Sequence, residues 1–70
     1  MNKDLLDIEL KKRRISVEEL CNVGLFSRSS YYRKCSGVSE FTRVEIQRIV
    51  EFLELSAEQA MSIFFDTKVS

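Results

Sequence analysis

The stretch from Ser27 to Gly37 holds a dense group of side chains suited to binding a polyanion. Its sequence is SRSSYYRKCSG, in which two arginines and one lysine stand without an acidic residue among them. Small hydroxyl residues favour a helix start and glycine favours a helix stop, so one short helix is predicted here. Such a helix can offer donors to phosphates and reach base edges in the major groove of DNA with arginine. The alternative interpretation is a solvated surface helix that is basic by chance.

Helix-start signals divide the rest of the chain into four further short helices. Sequences of the form S/T-x-x-E/Q, in which the two side chains cap each other's backbone amides, begin at Ser16, Thr42 and Ser56. An apolar run with helical spacing follows each of them, and another with early acids and late cations lies near the N-terminus. We therefore expect an all-α fold with helices at about residues 3–14, 17–23, 28–36, 43–54 and 57–65, followed by a frayed tail at 66–70.

The second and third predicted helices are separated by a short apolar turn that contains Leu25 and Phe26. Gly24 is expected to end the second helix in the left-handed conformation, which glycine adopts without strain. In the third helix, Tyr31 and Cys35 are four residues apart and are expected to face inward together. The side chains expected to point outward are those of Arg28, Ser29, Tyr32 and Arg33.

The composition argues against several classes of protein. A chain of 70 residues makes one domain with a modest core, and this one has no histidine. Cys21 and Cys35 do not form a CxxC pair, so no metal site is expected. Two free buried thiols are expected, the alternative being a disulfide, which a reducing cytosol disfavours. Since neither cysteine has a basic side chain at a spacing typical of a catalytic pair, we expect no enzyme, no cofactor and no small-molecule substrate.

The net charge is zero, but it is unevenly distributed along the chain. Residues 1–37 carry eight lysines and arginines against five acids, and residues 38–70 carry three against six. A zero total argues against indiscriminate nucleic-acid binding, whereas the uneven distribution fits one basic docking face and an acidic back. No signal peptide or membrane-spanning run is recognisable, so we expect a cytoplasmic protein without a membrane partner.

The order and spacing of these motifs resemble the helix-turn-helix of Cro/cI-type (XRE-type) phage repressors. The matching residues are Ser16-Val-Glu-Glu-Leu-Cys, then Phe26-Ser-Arg-Ser-Ser-Tyr-Tyr-Arg-Lys, then Gly37. The downstream runs that begin at Glu40 and Leu55 also resemble small repressor-like proteins from phages of Gram-positive bacteria. The resemblance covers roughly residues 5–69 and implies a compact five-helix lambda-repressor-like DNA-binding domain, with the helix-turn-helix at helices 2 and 3.

Residue roles follow from the resemblance by position. Arg28 and Ser29 match the base-reading positions of the family, and Arg33 matches another exposed position one turn further on. Ser27 and Ser36 match positions that contact the DNA backbone. An arginine in a base-reading position can bind O6 and N7 of guanine together, which discriminates that base by ~1–3 kcal/mol.

Other DNA contacts are predicted from residue chemistry. Tyr32 can pack on a thymine methyl group or bond a phosphate. Lys34 and Arg43 are predicted to contact phosphates, and so are Lys11 and Arg14 of the KKRR run. For the KKRR run the alternatives are a set of cations that complement the helix C-terminus and a nuclear localisation signal. For Arg43 the alternative is an ordinary exposed side chain.

Members of this family usually act as twofold dimers on paired half-sites. The last predicted helix contains Met61, Phe64 and Phe65, and the two adjacent phenylalanines cannot both point straight inward. One exposed phenylalanine would make an adhesive patch, so these three residues are the predicted interface of a homodimer. The alternative is a small core that encloses both rings.

The sequence supports two functional hypotheses. The first is a sequence-specific transcriptional repressor of phage origin that binds a double-stranded DNA operator in the bacterial host cell without a cofactor. The second is a protein-interaction module with a helix-turn-helix fold that binds another regulator instead of DNA. The second is favoured by Val17, which stands where the family usually has a phosphate-binding glutamine, and by the reversed turn order of Gly24 and Leu25.

Overall fold

A computed structural model of the chain describes residues 1–65, which contain five α-helices and no strand. The helices are α1 (Lys3–Lys12), α2 (Val17–Gly24), α3 (Arg28–Ser36), α4 (Arg43–Leu53) and α5 (Ala57–Phe64). The prediction of an all-α fold with five helices is therefore confirmed. The tail expected at residues 66–70 lies outside the described residues. Helix α1 ends two residues earlier than expected because Arg14 has a left-handed backbone, with φ 55°.

Polar caps fix where the helices begin. Ser16, Thr42 and Ser56 each accept a hydrogen bond from the third amide of their helix, and the side-chain oxygen at that third position accepts one from the backbone amide of the cap residue. All three predicted capping boxes are therefore present. The Ser27 oxygen likewise accepts from the Ser30 amide at 3.1 Å and caps α3 without a returning acid. A cap of this kind stabilises a helix by about 1 kcal/mol, which matters in a domain this small.

All five helices contribute to one apolar core. Helices α2 and α4 have the most extensive mutual contact, α1 packs on α5, and α3 packs on α2. The side chains that are almost completely buried are those of Leu6, Leu20, Tyr31, Ile49, Leu53 and Ile63. Because Tyr31 is the largest of these and comes from α3, its ring is the main anchor of that helix in the core.

An arginine of the KKRR run ties the end of α1 to the end of α4. The Nε atom of Arg13 donates to the backbone oxygen of Leu53 at 2.8 Å, and its guanidinium pairs with Glu9. Glu9 is also paired with Lys12, at 3.7 Å. The fold therefore uses two of the four cations in this run and leaves Lys11 and Arg14 exposed.

The turn between α2 and α3 differs from the sequence-based expectation. The prediction that Gly24 ends α2 in the left-handed conformation is wrong, since Gly24 is the last residue within α2. The left-handed residue is Leu25, with φ 62° and ψ 41°. Gly24 is required for another reason, because a Cβ atom there would lie 2.2 Å from Cε2 of the Phe26 ring. The turn thus depends on the missing side chain of this glycine and not on its free φ.

Candidate nucleic-acid interface

Helix α3 is anchored to the domain through the aromatic ring of Tyr31. This ring stacks on Phe26 at 6.1 Å between centroids and meets Tyr32 and Phe41 edge to face, at 5.4 and 6.4 Å. Edge-to-face and offset contacts of this kind add to the energy of burial. Gly37 ends the helix with a left-handed φ of 92°. The inward side of α3 is therefore set by one fully buried ring, and its opposite side is free for binding.

The four residues predicted to read bases are all exposed. Arg28, Ser29, Tyr32 and Arg33 lie on the outer side of α3, as the helical spacing predicted. Tyr32 follows Arg28 by one turn and lies close enough to raise the pKa of its guanidinium by hydrogen bonding and charge. Because an arginine is always protonated at neutral pH, Arg28 can donate to a base edge or a phosphate.

The serines predicted to contact the DNA backbone already take part in local hydrogen bonds. Ser27 accepts from the Ser30 amide and donates its hydroxyl proton to the Ser30 oxygen at 3.2 Å. Ser36 donates to the backbone oxygen of Arg33 at 3.0 Å. Both side chains are exposed, but each would have to give up its donated bond before it could donate to a phosphate.

The surroundings of Lys34 disfavour its predicted role as a phosphate ligand. Its side chain is only 12% exposed, and its ammonium lies 3.0 Å from an oxygen of Glu45. The same ammonium lies 5.8 Å from the centroids of both the Phe26 and Phe41 rings. Lys34 therefore lies mostly buried on the inward side of α3, where Cys35 is also partly buried and packed against the core, as expected. A lysine can do this because its long apolar stem is buried while its charge reaches a partner.

The other predicted phosphate ligands lie on separate elements. Arg43 is exposed at the first position of α4, and the Lys34–Glu45 ion pair brings that end of α4 next to the end of α3. Lys11 and Arg14 are exposed where α1 leads into α2. Arg14 lies two residues before Ser16, the N-cap of α2, whose first turn also carries the acidic Glu18 and Glu19.

The predicted dimer interface is partly corrected. Phe64 is only 9% exposed, and its ring meets Phe41 edge to face at 5.5 Å, so it belongs to the core. Phe65 is 48% exposed and Met61 is 58% exposed. The expectation that one of the adjacent phenylalanines is exposed is thus confirmed, and the candidate apolar patch is reduced to Met61 and Phe65.

Two exposed apolar residues at the ends of α3 were not predicted as site residues. Leu25, in the turn before the helix, is 72% exposed, and Val38, just after the helix, is 76% exposed. Leu25 carries the left-handed conformation that glycine or asparagine usually supplies at a helix end. The sequence offered no signal for this, because the glycine beside Leu25 accounted for the turn on its own.

Neither cysteine has the features of a reactive site. Both Cys21 and Cys35 are free thiols, the first buried and the second partly buried. Burial raises the pKa of each thiol, which keeps it protonated at neutral pH and makes it a poor nucleophile. Within residues 1–65 no group of three or more histidine, cysteine or acidic side chains is arranged to hold a metal ion.

Comparisons with known proteins return no assignment. No family model, no curated protein and no solved structure matches this chain. In the part of the chain that the structure describes, no helix has both the length and the apolar character needed to cross a bilayer.

Proposed function

We propose that this chain is a sequence-specific DNA-binding transcriptional regulator, a Cro/cI-like repressor of phage or prophage origin. In this proposal α2 and α3 form a helix-turn-helix, and α3 enters the major groove of an operator. The observation that carries the proposal is the outer side of α3, where Arg28, Ser29, Tyr32 and Arg33 are exposed on a helix without an acidic residue. Such a surface is suited to base edges and phosphates and poorly suited to a cation or an apolar ligand.

The roles of these residues differ by chemistry. Arg28 and Arg33 bind base edges, with guanine as the preferred partner because its two acceptors match the arginine fork. Ser29 and Tyr32 complete the groove contacts, the first by hydrogen bonding and the second by packing on a thymine methyl group. Arg43, together with Lys11 and Arg14, neutralises phosphates, and Ser27 and Ser36 remain secondary backbone contacts.

The regulator acts as a homodimer without a cofactor, in the cytoplasm of a bacterial host. A module of this size buries too little DNA surface for strong site selection, and two copies on half-sites about 34 Å apart overcome that limit. Met61 and Phe65 are the exposed apolar residues of the last helix and its end, and they support a contact there.

The alternative function is a protein-interaction module that binds another regulator. Leu25 favours it, because a leucine that is 72% exposed and left-handed at a turn costs stability without contributing to the core. Val17 and the net charge of zero favour it as well. In this case the exposed patch at the turn would be the binding surface, and the exposed side of α3 would be dispensable.

Selection of bound duplexes from a random pool distinguishes the two functions. A DNA-binding regulator enriches a palindrome, whose spacing also gives the symmetry of the bound form. The affinity for that sequence should decline with salt at a slope of roughly −0.9 per phosphate neutralised. A chain that enriches no sequence, or whose binding to duplex is insensitive to salt, is not the proposed regulator.

A further inference from the structure

Lys34 makes the polar connection between α3 and another helix. Among residues 1–65, it is the one side chain of α3 whose hydrogen bonds cross to a different helix, and its partner is Glu45 of α4. The other side-chain bonds within this helix, from Ser27, Ser30 and Ser36, stay inside α3 or its cap. The direction of α3 relative to α4 therefore depends on Lys34 together with the apolar packing around Tyr31.

One oxygen of Glu45 serves both helices. Its Oε1 atom accepts from the Thr42 amide at 2.8 Å, which closes the capping box of α4, and from Lys34 Nζ at 3.0 Å. The Lys34 ammonium also donates to the backbone oxygen of Glu40 at 3.4 Å. The end of α3 and the start of α4 are thus fixed to the same atom, in a site where Glu45 is 15% exposed.

An ion pair in such a place contributes more to geometry than to stability. Removing two charges from water costs about as much as their attraction returns, so a matched apolar or neutral pair often preserves stability. The Glu45 carboxylate and the Lys34 ammonium, which lies near two aromatic rings, can nevertheless adopt few other arrangements. Arg33 directly precedes Lys34, and Arg43 lies two positions before Glu45. The ion pair therefore joins the two segments that carry these exposed cations on different helices.

We propose that Lys34 is a positioning residue for DNA recognition. Through Glu45 it holds the second half of α3 against the start of α4, so that Arg33 and Arg43 reach the same stretch of duplex. This inference rests on the proposed function. Lys34 itself contacts no DNA, and its contribution is felt only where the spacing of base and phosphate contacts matters, which is on the selected operator.

The test compares K34M, E45Q and the double variant K34M/E45Q with the wild-type chain on its selected operator and on a random duplex. Methionine keeps the apolar stem, and glutamine keeps the capping box of α4. We expect operator affinity to fall about tenfold or more in K34M/E45Q, as for the loss of one good base contact. Affinity for random duplex, the salt slope measured on random duplex and the midpoint of urea unfolding should stay close to wild type.

Three controls separate positioning from the other roles. K34R, which keeps a charge within reach of Glu45, should recover most of the operator affinity. K3M removes the exposed Lys3–Asp7 pair, which has the same 3.0 Å length, and should leave operator affinity and the midpoint of urea unfolding unchanged. R43Q should weaken both duplexes and make the salt slope shallower by roughly 0.9, as expected for a true phosphate ligand.

Each contrary outcome has a distinct meaning. If K34M weakens both duplexes equally and makes the salt slope shallower, Lys34 is a phosphate ligand and the inference is wrong. If a lower free energy of unfolding fully accounts for the loss of operator affinity in K34M/E45Q, Lys34 has only a structural role and the inference is wrong. If the wild type selects an operator and K34M/E45Q binds it unchanged, the inference fails while the proposed function stands. A wild-type chain that selects no DNA removes both.

Discussion

The ring of Phe26 lies so close to Gly24 that a Cβ atom on residue 24 would come within 2.2 Å of Cε2 of that ring. The same ring stacks on Tyr31 and lies 5.8 Å from the Lys34 ammonium. Phe26 thus connects the end of α2 to the inward residues of α3. Glycine stands where the ring passes close to the backbone, and the left-handed position that follows is occupied by Leu25.

We predict that L25G stabilises the domain. A left-handed leucine costs ~1–2 kcal/mol, and its side chain is 72% exposed, so little packing is lost. Part of this gain is lost, because the more flexible glycine backbone costs ~0.5–1 kcal/mol of entropy on folding. The free energy of unfolding, measured by urea titration, should therefore rise by about 0.5–1 kcal/mol.

The matched control for the turn is G24A, one position earlier. Its new methyl group meets the Phe26 ring, which is itself packed on Tyr31 and Phe41, so we expect a loss of about 1–3 kcal/mol. A destabilised L25G would show that the Leu25 side chain is held by a contact in the folded chain, which would contradict our account of the strain.

The contrast between caps and turn shows which features a sequence encodes locally. Ser16, Thr42 and Ser56 could be assigned as caps because a capping box lies within four residues and depends on nothing outside the helix. The place of Gly24 could not, because it depends on where the Phe26 ring lies after Tyr31 has been buried. The sequence placed Gly24 at the end of α2 but assigned it the left-handed conformation that Leu25 adopts.

The roles proposed for the exposed cations predict different responses to mutation. R28A should lower affinity for the selected operator by ~1–3 kcal/mol and affect random duplex much less, because a base contact is lost. K11A or R14A should weaken both duplexes about equally, with a salt slope shallower by roughly 0.9. Titrations of labelled duplex at several salt concentrations measure both quantities.

The control for these titrations is the folded state of each variant. Arg28, Lys11 and Arg14 are exposed, so their alanine variants should unfold at nearly the wild-type urea concentration. If R28A binds the operator as tightly as the wild type, the proposed reading position of α3 is wrong. If K11A and R14A leave the salt slope unchanged, the start of α2 lies away from the phosphates.

Helical spacing was enough to predict which side of α3 is exposed, but not which cations are available. Arg28, Ser29, Tyr32 and Arg33 follow from the burial of Tyr31 and a period of 3.6 residues. The burial of Lys34 was not predicted, because its partner Glu45 is on another helix and its ammonium lies near the rings of Phe26 and Phe41. Phe64 was misassigned for a similar reason, since its contact with Phe41 joins distant parts of the chain.

The carboxyl group of Glu45 should make the free energy of unfolding depend on pH. Burial alone would raise the pKa of this carboxyl, but hydrogen bonds from the Thr42 amide and Lys34 outweigh it and hold the pKa below its ordinary value. A lowered pKa in the folded state gives stability that is present above the ordinary pKa and is lost as the pH falls through the folded value. The free energy of unfolding should therefore decrease below about pH 4.5.

The comparison that isolates this effect is E45Q, measured by urea unfolding between pH 7 and pH 3. Glutamine keeps the cap but does not titrate, so the difference between wild type and E45Q should shrink as the solution is acidified. K34M should reduce the same dependence in part, because it removes one of the two groups that lower the pKa of Glu45. An equal acid sensitivity in wild type and E45Q would contradict the assignment.

The buried hydroxyl of Tyr31 leads us to expect that Y31F will not lower the free energy of unfolding. Among the described residues this buried group has no hydrogen-bond partner, and burial raises its pKa far above the ordinary value. An unsatisfied buried hydroxyl costs ~1–3 kcal/mol. Y31F keeps the ring contacts with Phe26 and Phe41 and removes only that group. Its free energy of unfolding should equal or exceed that of the wild type by up to about 1 kcal/mol.

Tyr32 supplies the matched control, because it is the next residue and its side chain is 45% exposed. Y32F should leave stability unchanged within about 0.5 kcal/mol, as for most surface changes. Its operator affinity should fall if the hydroxyl helps to hold Arg28 in place. Y31F should leave operator affinity unchanged, since Tyr31 anchors α3 through its ring alone. If Y31F instead loses more than 1 kcal/mol of stability, the hydroxyl has a partner such as a buried water, and the anchor of α3 is partly polar.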